Sequence, residues 1–202
     1  MKKSQEFYLP IKRLLDIFGS IVGIVFCLGL LWWWIFIINL FVTKGHPIFL
    51  QERYGKNKKV FKIFKFRSMK IDADPNLAPS DINKETQESM ETKFGRFLRK
   101  SSFDETLQLL NILIGQMSFI GPRPGAVVNE DYLIVCREKF TPNAFVVKPG
   151  ISGYAQVKMS RLHDPNDKAY FDHIYVKRIS FLLDTKIFFL TICGIFGILK
   201  GK

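Results

Sequence analysis

The sequence predicts an α+β fold: a mostly helical cytosolic domain with a small β-hairpin, an N-terminal membrane-inserted helix, and amphipathic helices at the membrane interface. Three observations predict it. Ile17 to Thr43 carries no charged side chain. Pro47 to Phe66 reads as strand, turn, strand. Beyond Thr92, apolar residues recur at helical spacing between Gly- and Pro-rich turns. At 202 residues the chain suggests one domain with appendages, divided into 1–46 (membrane helix) and 47–202 (the remaining domain).

The uncharged run is about 27 residues, and about 20 suffice to cross a bilayer as a helix. It is too long for the core of a secretory signal, and no small-residue cleavage site follows. Trp32, Trp33 and Trp34 lie in its middle. Lys2, Lys3, Lys12 and Arg13 precede it; Lys44, Arg53, Lys56, Lys58 and Lys59 follow it. Cytoplasmic flanks collect Lys and Arg. A straight span puts one basic flank outside, whereas a helix-break-helix keeps both inside. Gly19, Gly23 and Gly29 would weaken the helix for such a bend.

The hairpin follows from Ile48-Phe49-Leu50, the turn Gly55-Lys56-Asn57, and the run Val60 to Phe66, in which Lys62 and Lys65 break the alternation. Its basic residues read as a face against anionic lipid, or, for Lys65 and Arg67, as contacts to a nucleotide diphosphate. Ile71 to Glu91 is polar and reads as a mobile loop and a short helix, its acids facing solvent.

Thr92 to Leu113 carries the acidic pair Asp104-Glu105, just after Arg99 and Lys100. Ser102 reads as an N-cap with Glu105 three residues on, before a stripe of Leu107, Leu109, Leu110 and Leu113. An ionised Asp near cation-bound phosphate is a potential nucleophile or metal ligand. The blander readings are a capping box for Glu105 and a helix-dipole carboxylate for Asp104. Gly115 ends the helix. Pro122 and Pro124 stiffen the backbone around Arg123, whose planar guanidinium suits phosphate oxygens; otherwise this is an ordinary proline turn. Asn129 to Phe140 and Asp167 to Val176 read as helices. The glycines of Lys148 to Gln156 imply a tight turn near a ligand or another backbone. Ile187 to Leu199 is too short to span and reads as an interfacial helix or a core helix.

A formal charge of +12 implies an anionic partner: nucleic acid, lipid headgroups or a phosphorylated substrate. Nucleic-acid binding explains the charge but not the apolar N-terminus. Cys27, Cys136 and Cys193 have no metal-ligand spacing and read as reduced, packed thiols. His46, His163 and His173 show no zinc spacing.

Five strings in order resemble the monotopic phosphoglycosyl transferases, the bacterial sugar transferases that start glycan assembly on polyprenyl phosphate. They are Lys12 to Asp16, Phe64 to Met69, Ser102 to Asn111, Gly115 to Pro124 and Lys148 to Gln156. The resemblance implies that Asp104 attacks the β-phosphate of a UDP-sugar, releasing UMP, and that polyprenyl (undecaprenyl) phosphate then takes the phosphosugar from Asp104. It implies Glu105 as a partner acid and Mg²⁺ at Asp104. Lys65, Arg67, Arg99, Arg123, Lys148 and Gln156 are the substrate-binding candidates. It favours the re-entrant helix and implies a bacterial inner-membrane protein whose catalytic domain faces the cytoplasm, with membrane lipids as partners and no nucleic acid. The chain departs from the family pattern with Leu28-Gly29 at the usual Ser-Pro helix break, Leu107 for proline, and Lys148 for the commoner arginine. The alternative is a basic membrane adaptor with no enzymatic activity, which needs neither the acidic pair nor the stiff Arg123 loop.

Overall fold

The computed structural model describes residues 3–43, 45–70, 90–128, 131–158 and 164–195. The expected loop over 71–89 lies outside them, as do residues 129–130, 159–163 and 196–202, so the predicted helices ending or starting there are seen only in part.

The N-terminal helix α1 spans Lys3–Leu30, and α2 spans Trp32–Thr43. Only Leu31 separates them; its N–H donates to Cys27 O and its carbonyl accepts from Ile35 N. The break therefore falls after Leu28-Gly29, which are still helical. Gly19 and Gly23 do not bend the helix. They lie inside α1, where an added Cβ would meet Phe119 at 2.8 Å and Leu109 at 3.0 Å. Their small size admits neighbouring side chains to the helix backbone. By length and composition α1 is apolar enough to cross a membrane. Its outward side chains include Phe7, Leu14, Phe18 and Val25, and those of α2 include Trp33, Trp34 and Phe41.

The charged residues at the base of α1 face the protein instead. Lys12 Nζ donates to Asp184 Oδ2 at 2.6 Å. Arg13 donates to the carbonyls of Ile112 and Leu113. Asp16 Oδ1 accepts from the Ser118 hydroxyl and the Phe119 amide, both at 3.0 Å.

Strands β1 (Ile48–Tyr54) and β2 (Val60–Phe66) pair antiparallel in the register Ile48↔Phe66 to Tyr54↔Val60. The turn is tighter than its glycine suggests: Gly55 is extended, and Asn57 and Lys58 adopt left-handed φ of 55° and 57°. Helix α3 (Lys93–Lys100) is capped by Thr92, whose side chain accepts from Gly95 N. A 3₁₀ turn, Phe103–Glu105, leads to α4 (Gln108–Leu113). The short strands β3 (Ser118–Ile120) and β4 (Gly150–Ser152) pair in parallel. The sequence reading took both for loops, because three-residue strands carry no measurable period. The glycines there do meet another backbone: a Cβ on Gly150 would lie 2.1 Å from Gly121 N. Helices α5 (Asp131–Glu138), α6 (Tyr154–Lys158), α7 (Pro165–Arg178) and α8 (Phe181–Ile195) complete the described chain.

The main core packs Cys27, Trp32 and Ile35 from the N-terminal helices against Phe61, Ile63 and Leu98. A second cluster joins Tyr8 of α1 to Tyr175, Val176 and Ile187 of α7 and α8. Ile187 is fully buried while Phe188 and Phe189 are exposed. So α8 has one core face, as the core-helix reading expects, and one outward apolar face. All three cysteines are free.

Candidate active site

The acidic pair sits in the turn between α3 and α4. Ser102 adopts a left-handed backbone, φ 59°, and its side chain makes no capping bond. The capping box expected from Ser102 and Glu105 is therefore absent, and α4 begins only at Gln108. The reason is competition. Glu105 is claimed by two cations, and charge-assisted bonds outweigh a bond to a backbone amide. Lys65 Nζ donates to Glu105 Oε1 at 2.8 Å. Arg123 takes both oxygens in a fork, Nη1 to Oε2 at 3.1 Å and Nη2 to Oε1. Burial raises the Glu105 carboxyl's proton affinity, but Arg123 and Lys65 more than offset it and hold the group well below the usual carboxylate range. Lys65 is pushed down, by its own burial first and by Arg123, against the pull of Glu105.

Asp104 is in a different state. It is 7% exposed, and among the described residues its carboxylate accepts no hydrogen bond. Burial raises its pKa to about 6; the Glu105 charge adds to the rise, and Lys65, Arg99 and Arg123 oppose it. At pH 7 roughly nine in ten molecules carry Asp104 ionised. The turn thus holds one carboxylate fully engaged and one desolvated and uncommitted. That difference separates a structural acid from a reactive one.

Several elements build this geometry. Asn111, fully buried on α4, inserts its amide into the edge of β2: Phe64 N donates to its Oδ1 at 3.0 Å and its Nδ2 donates to Lys62 O at 2.8 Å. This fixes the strand one residue before Lys65. Gly95 lets α3 lie on the chain at Ser68, where a Cβ would fall 1.8 Å from a carbonyl oxygen. Trp32, at the head of α2, donates its indole N–H to Thr106 Oγ1 at 3.0 Å, two residues beyond Asp104.

Of the substrate-binding candidates, Lys65, Arg99 and Arg123 all act electrostatically on Asp104. Arg99 is anchored by Glu91, Nη1 to Oε1 at 2.6 Å; Glu91 belongs to the segment read as solvent-facing acids. Gln156 lies one link away, since its Nε2 and Arg123 Nη1 share Ile151 O as acceptor, each at 3.3 Å. Arg67 and Lys148 are not brought to the acidic pair. Arg67 donates to His46 O and stacks over Phe49 at the base of the hairpin. Lys148 lies by Gly115 and Arg13 at the far end of α4; burial, then the Arg13 charge, lowers its pKa. The sequence reading passed over Asn111, Trp32 and Glu91 as site-building residues. Only Asn111 left a signal, as a polar residue within an apolar helical run.

Among the described residues no three His, Cys, Asp or Glu side chains cluster as a metal site. This donor set fits Mg²⁺ all the same. That ion is usually held by one or two carboxylates together with substrate phosphates and water, and Asp104 offers one uncommitted hard-oxygen ligand.

A family model described as bacterial sugar transferase matches residues 7–197. The chain is 40% identical over 157 residues to a UDP-glucose:undecaprenyl-phosphate glucose-1-phosphate transferase of Klebsiella pneumoniae, covering 74% of this chain and 32% of that protein. It is 36% identical over 189 residues to a UDP-N-acetylgalactosamine-undecaprenyl-phosphate N-acetylgalactosaminephosphotransferase of Aeromonas hydrophila, covering 92% of this chain and 43% of the other. An uncharacterized sugar transferase, EpsL, of Bacillus subtilis is 36% identical over 185 residues, covering 90% of this chain and 85% of that protein. The chain spans about a third to two fifths of the first of these curated relatives' length. With nearly its whole length matched, the chain belongs to the bacterial sugar transferase family.

Proposed function

We propose that this chain transfers a sugar 1-phosphate from a UDP-sugar to undecaprenyl phosphate through a covalent phosphosugar on Asp104. The observation that carries this reading is the buried carboxylate of Asp104, free of hydrogen bonds among the described residues and beside a carboxylate locked by two cations. The names of the relatives supply the substrate classes.

In the first step an Asp104 oxygen attacks the β-phosphorus of the donor. The bond from that phosphorus to the bridging oxygen breaks, and the electron pair leaves on the phosphate of UMP. In the second step a phosphate oxygen of the acceptor attacks the same phosphorus and the Asp104 carboxylate departs. Each step displaces one oxygen by another, so catalysis is positioning and charge stabilisation. Arg99 and Arg123 neutralise the diphosphate as the carboxylate approaches. Glu105 keeps Lys65 and Arg123 charged and oriented at the rim. Mg²⁺, held by Asp104 and the donor's phosphate oxygens, would supply further neutralisation there.

The same reading places the chain at the bacterial inner membrane, facing the cytoplasm, with its N-terminal helices re-entrant. Two features support a returning path. The uncharged part of α1 from Ile17 is about 21 Å long and α2 about 18 Å, each short of the roughly 30 Å hydrocarbon core. Both outer ends are also tied to the same folded unit, Arg13 to the end of α4 and Asn39 Nδ2 to Arg67 O at 3.0 Å.

The test is a trapping experiment. Incubation with donor labelled in its sugar phosphate, without acceptor, should leave label on residue 104 and release an equivalent of UMP. Turnover without that adduct rejects the mechanism.

A further inference from the structure

Arg137 on α5 and Asp172 on α7 form an ion pair that is 2% and 1% exposed. Arg137 Nε donates to Asp172 Oδ2 at 2.9 Å, and Nη2 donates to the same oxygen at 2.5 Å. Neither residue touches Asp104 or Glu105. A pair buried this deeply rarely stabilises a fold more than apolar residues of the same volume would. Its geometry must be explained otherwise, and a third bond does so: Arg137 Nη2 also donates to the backbone carbonyl of Arg123 at 2.8 Å.

The loop that carries Arg123 is held at every carbonyl. Pro122 O accepts from Gly150 N, Arg123 O from Arg137, Pro124 O from Arg53 Nη1, and Gly125 O from Tyr54 N, all between 2.8 and 3.0 Å. Its two prolines have no N–H to donate, so fixing this loop falls to its carbonyls. The bond at Arg123 itself is the one made by a fully buried charge rather than by a strand amide or the half-buried Arg53.

We infer that Arg137, oriented by Asp172, is a positioning residue that sets the backbone of Arg123 and thereby its guanidinium against Glu105 and the donor diphosphate. The inference rests on the function proposed above. A misplacement of about 1 Å at a charge-stabilising group costs up to a hundredfold in rate.

The test compares wild type, R137K and R137M/D172L, each as the whole membrane-bound chain. The double variant replaces the ion pair with apolar side chains of similar volume, which buried pairs tolerate. R137K keeps a charge opposite Asp172 but loses the fork that serves two acceptors at once. Both should unfold at temperatures near that of the wild type. The donor KM should rise and kcat/KM for a UDP-sugar fall about ten- to a hundredfold, with the acceptor KM unchanged. Loss of folded protein alone would lower kcat and leave both KM values where they were, and that pattern overturns the role. Wild-type donor kinetics in either folded variant overturns it too. If the double variant fails to fold, R137K decides. An active wild type that never carries label on residue 104 rejects the parent mechanism and this inference together; a labelled wild type with unchanged R137K kinetics rejects this inference alone.

Discussion

Replacing Asp104 by Asn should abolish turnover and at the same time make the protein more stable. The magnitude follows from the burial of the carboxylate. Its pKa rises from the usual 3.8 to about 6. Each pKa unit is worth about 1.4 kcal/mol, so ionised Asp104 costs the native state up to about 3 kcal/mol at neutral pH. The folded carboxyl binds its proton more tightly than the unfolded chain does. Stability therefore falls as pH rises from about 4 to about 6, and the full cost is present above that window. Asparagine has no charge to desolvate and escapes the cost. For a chain of this size, 1 kcal/mol moves the unfolding midpoint by roughly 2–4 °C, so D104N should gain up to roughly 6–12 °C at pH 7. The gain should vanish at pH 4. The assay is thermal unfolding in detergent micelles at both values with divalent cations chelated, alongside UMP release with cations present. Turnover in D104N removes Asp104 as nucleophile. Equal midpoints for the two proteins at pH 7 refute the claim that the carboxylate is desolvated and unsatisfied.

Three further changes test the surroundings of Asp104. E105Q leaves Lys65 and Arg123 without their counter-ion and should cost about 3 kcal/mol at pH 7, with turnover reduced at least a hundredfold. Because the Glu105 carboxyl sits below its ordinary range, its contribution is present above pH 4.5 and lost as pH falls below it, so the gap between E105Q and wild type should narrow in acid. W32F removes the indole bond to Thr106 and should lower stability by about 1 kcal/mol, seen as a lower unfolding midpoint. G95A forces a methyl against the Ser68 carbonyl and should cost about 3 kcal/mol or more, read as poor recovery of folded protein.

The sequence made the periodic elements legible. A long uncharged run marks an apolar helix, and a turn between β-rich runs marks a hairpin. It also marked the acidic pair and the stiff Arg123 loop, because adjacent charges and flanking prolines are unusual without a use. What stayed hidden is what depends on pairing across the chain. Strands β3 and β4 are three residues each and exist because glycines at 121 and 150 let two backbones touch. Ser102 matched a helix-cap pattern, yet the cations on β2 and the Arg123 loop outcompeted the local bond for Glu105. Gly19 and Gly23 looked like hinges and proved to be packing surfaces, since a glycine's spacing along one helix says nothing of what lies across from it; Gly29, with nothing within 4 Å, lies two residues before the interruption at Leu31. Arg67 and Lys148 shared charge and motif with the site residues, but the register of β2 and the length of α4 carry them elsewhere.

On the proposed mechanism, α1 and α2 have a role beyond anchorage. A double displacement on one carboxylate requires a water-soluble donor and a lipid-borne acceptor to reach the same atom in turn. The acceptor phosphate is confined to a narrow range of depths by its tail, so Asp104 must be held at a matching depth. A domain joined to its anchor by a free linker would sample many depths, and the lipid phosphate would meet Asp104 only in a fraction of them. Here the junction of α1 and α2 carries both outward and core-facing side chains. Trp33 and Trp34 point outward, 64% and 68% exposed, while Trp32 packs into the main core and bonds to Thr106. The base of α1 is fixed as firmly: Tyr8 and Lys12 both donate to Asp184, which also accepts from Tyr175. With the helix pair clamped at its base and beside the reactive turn, the proposed mechanism has rigid packing, not a free linker, hold Asp104 at the level of the acceptor phosphate.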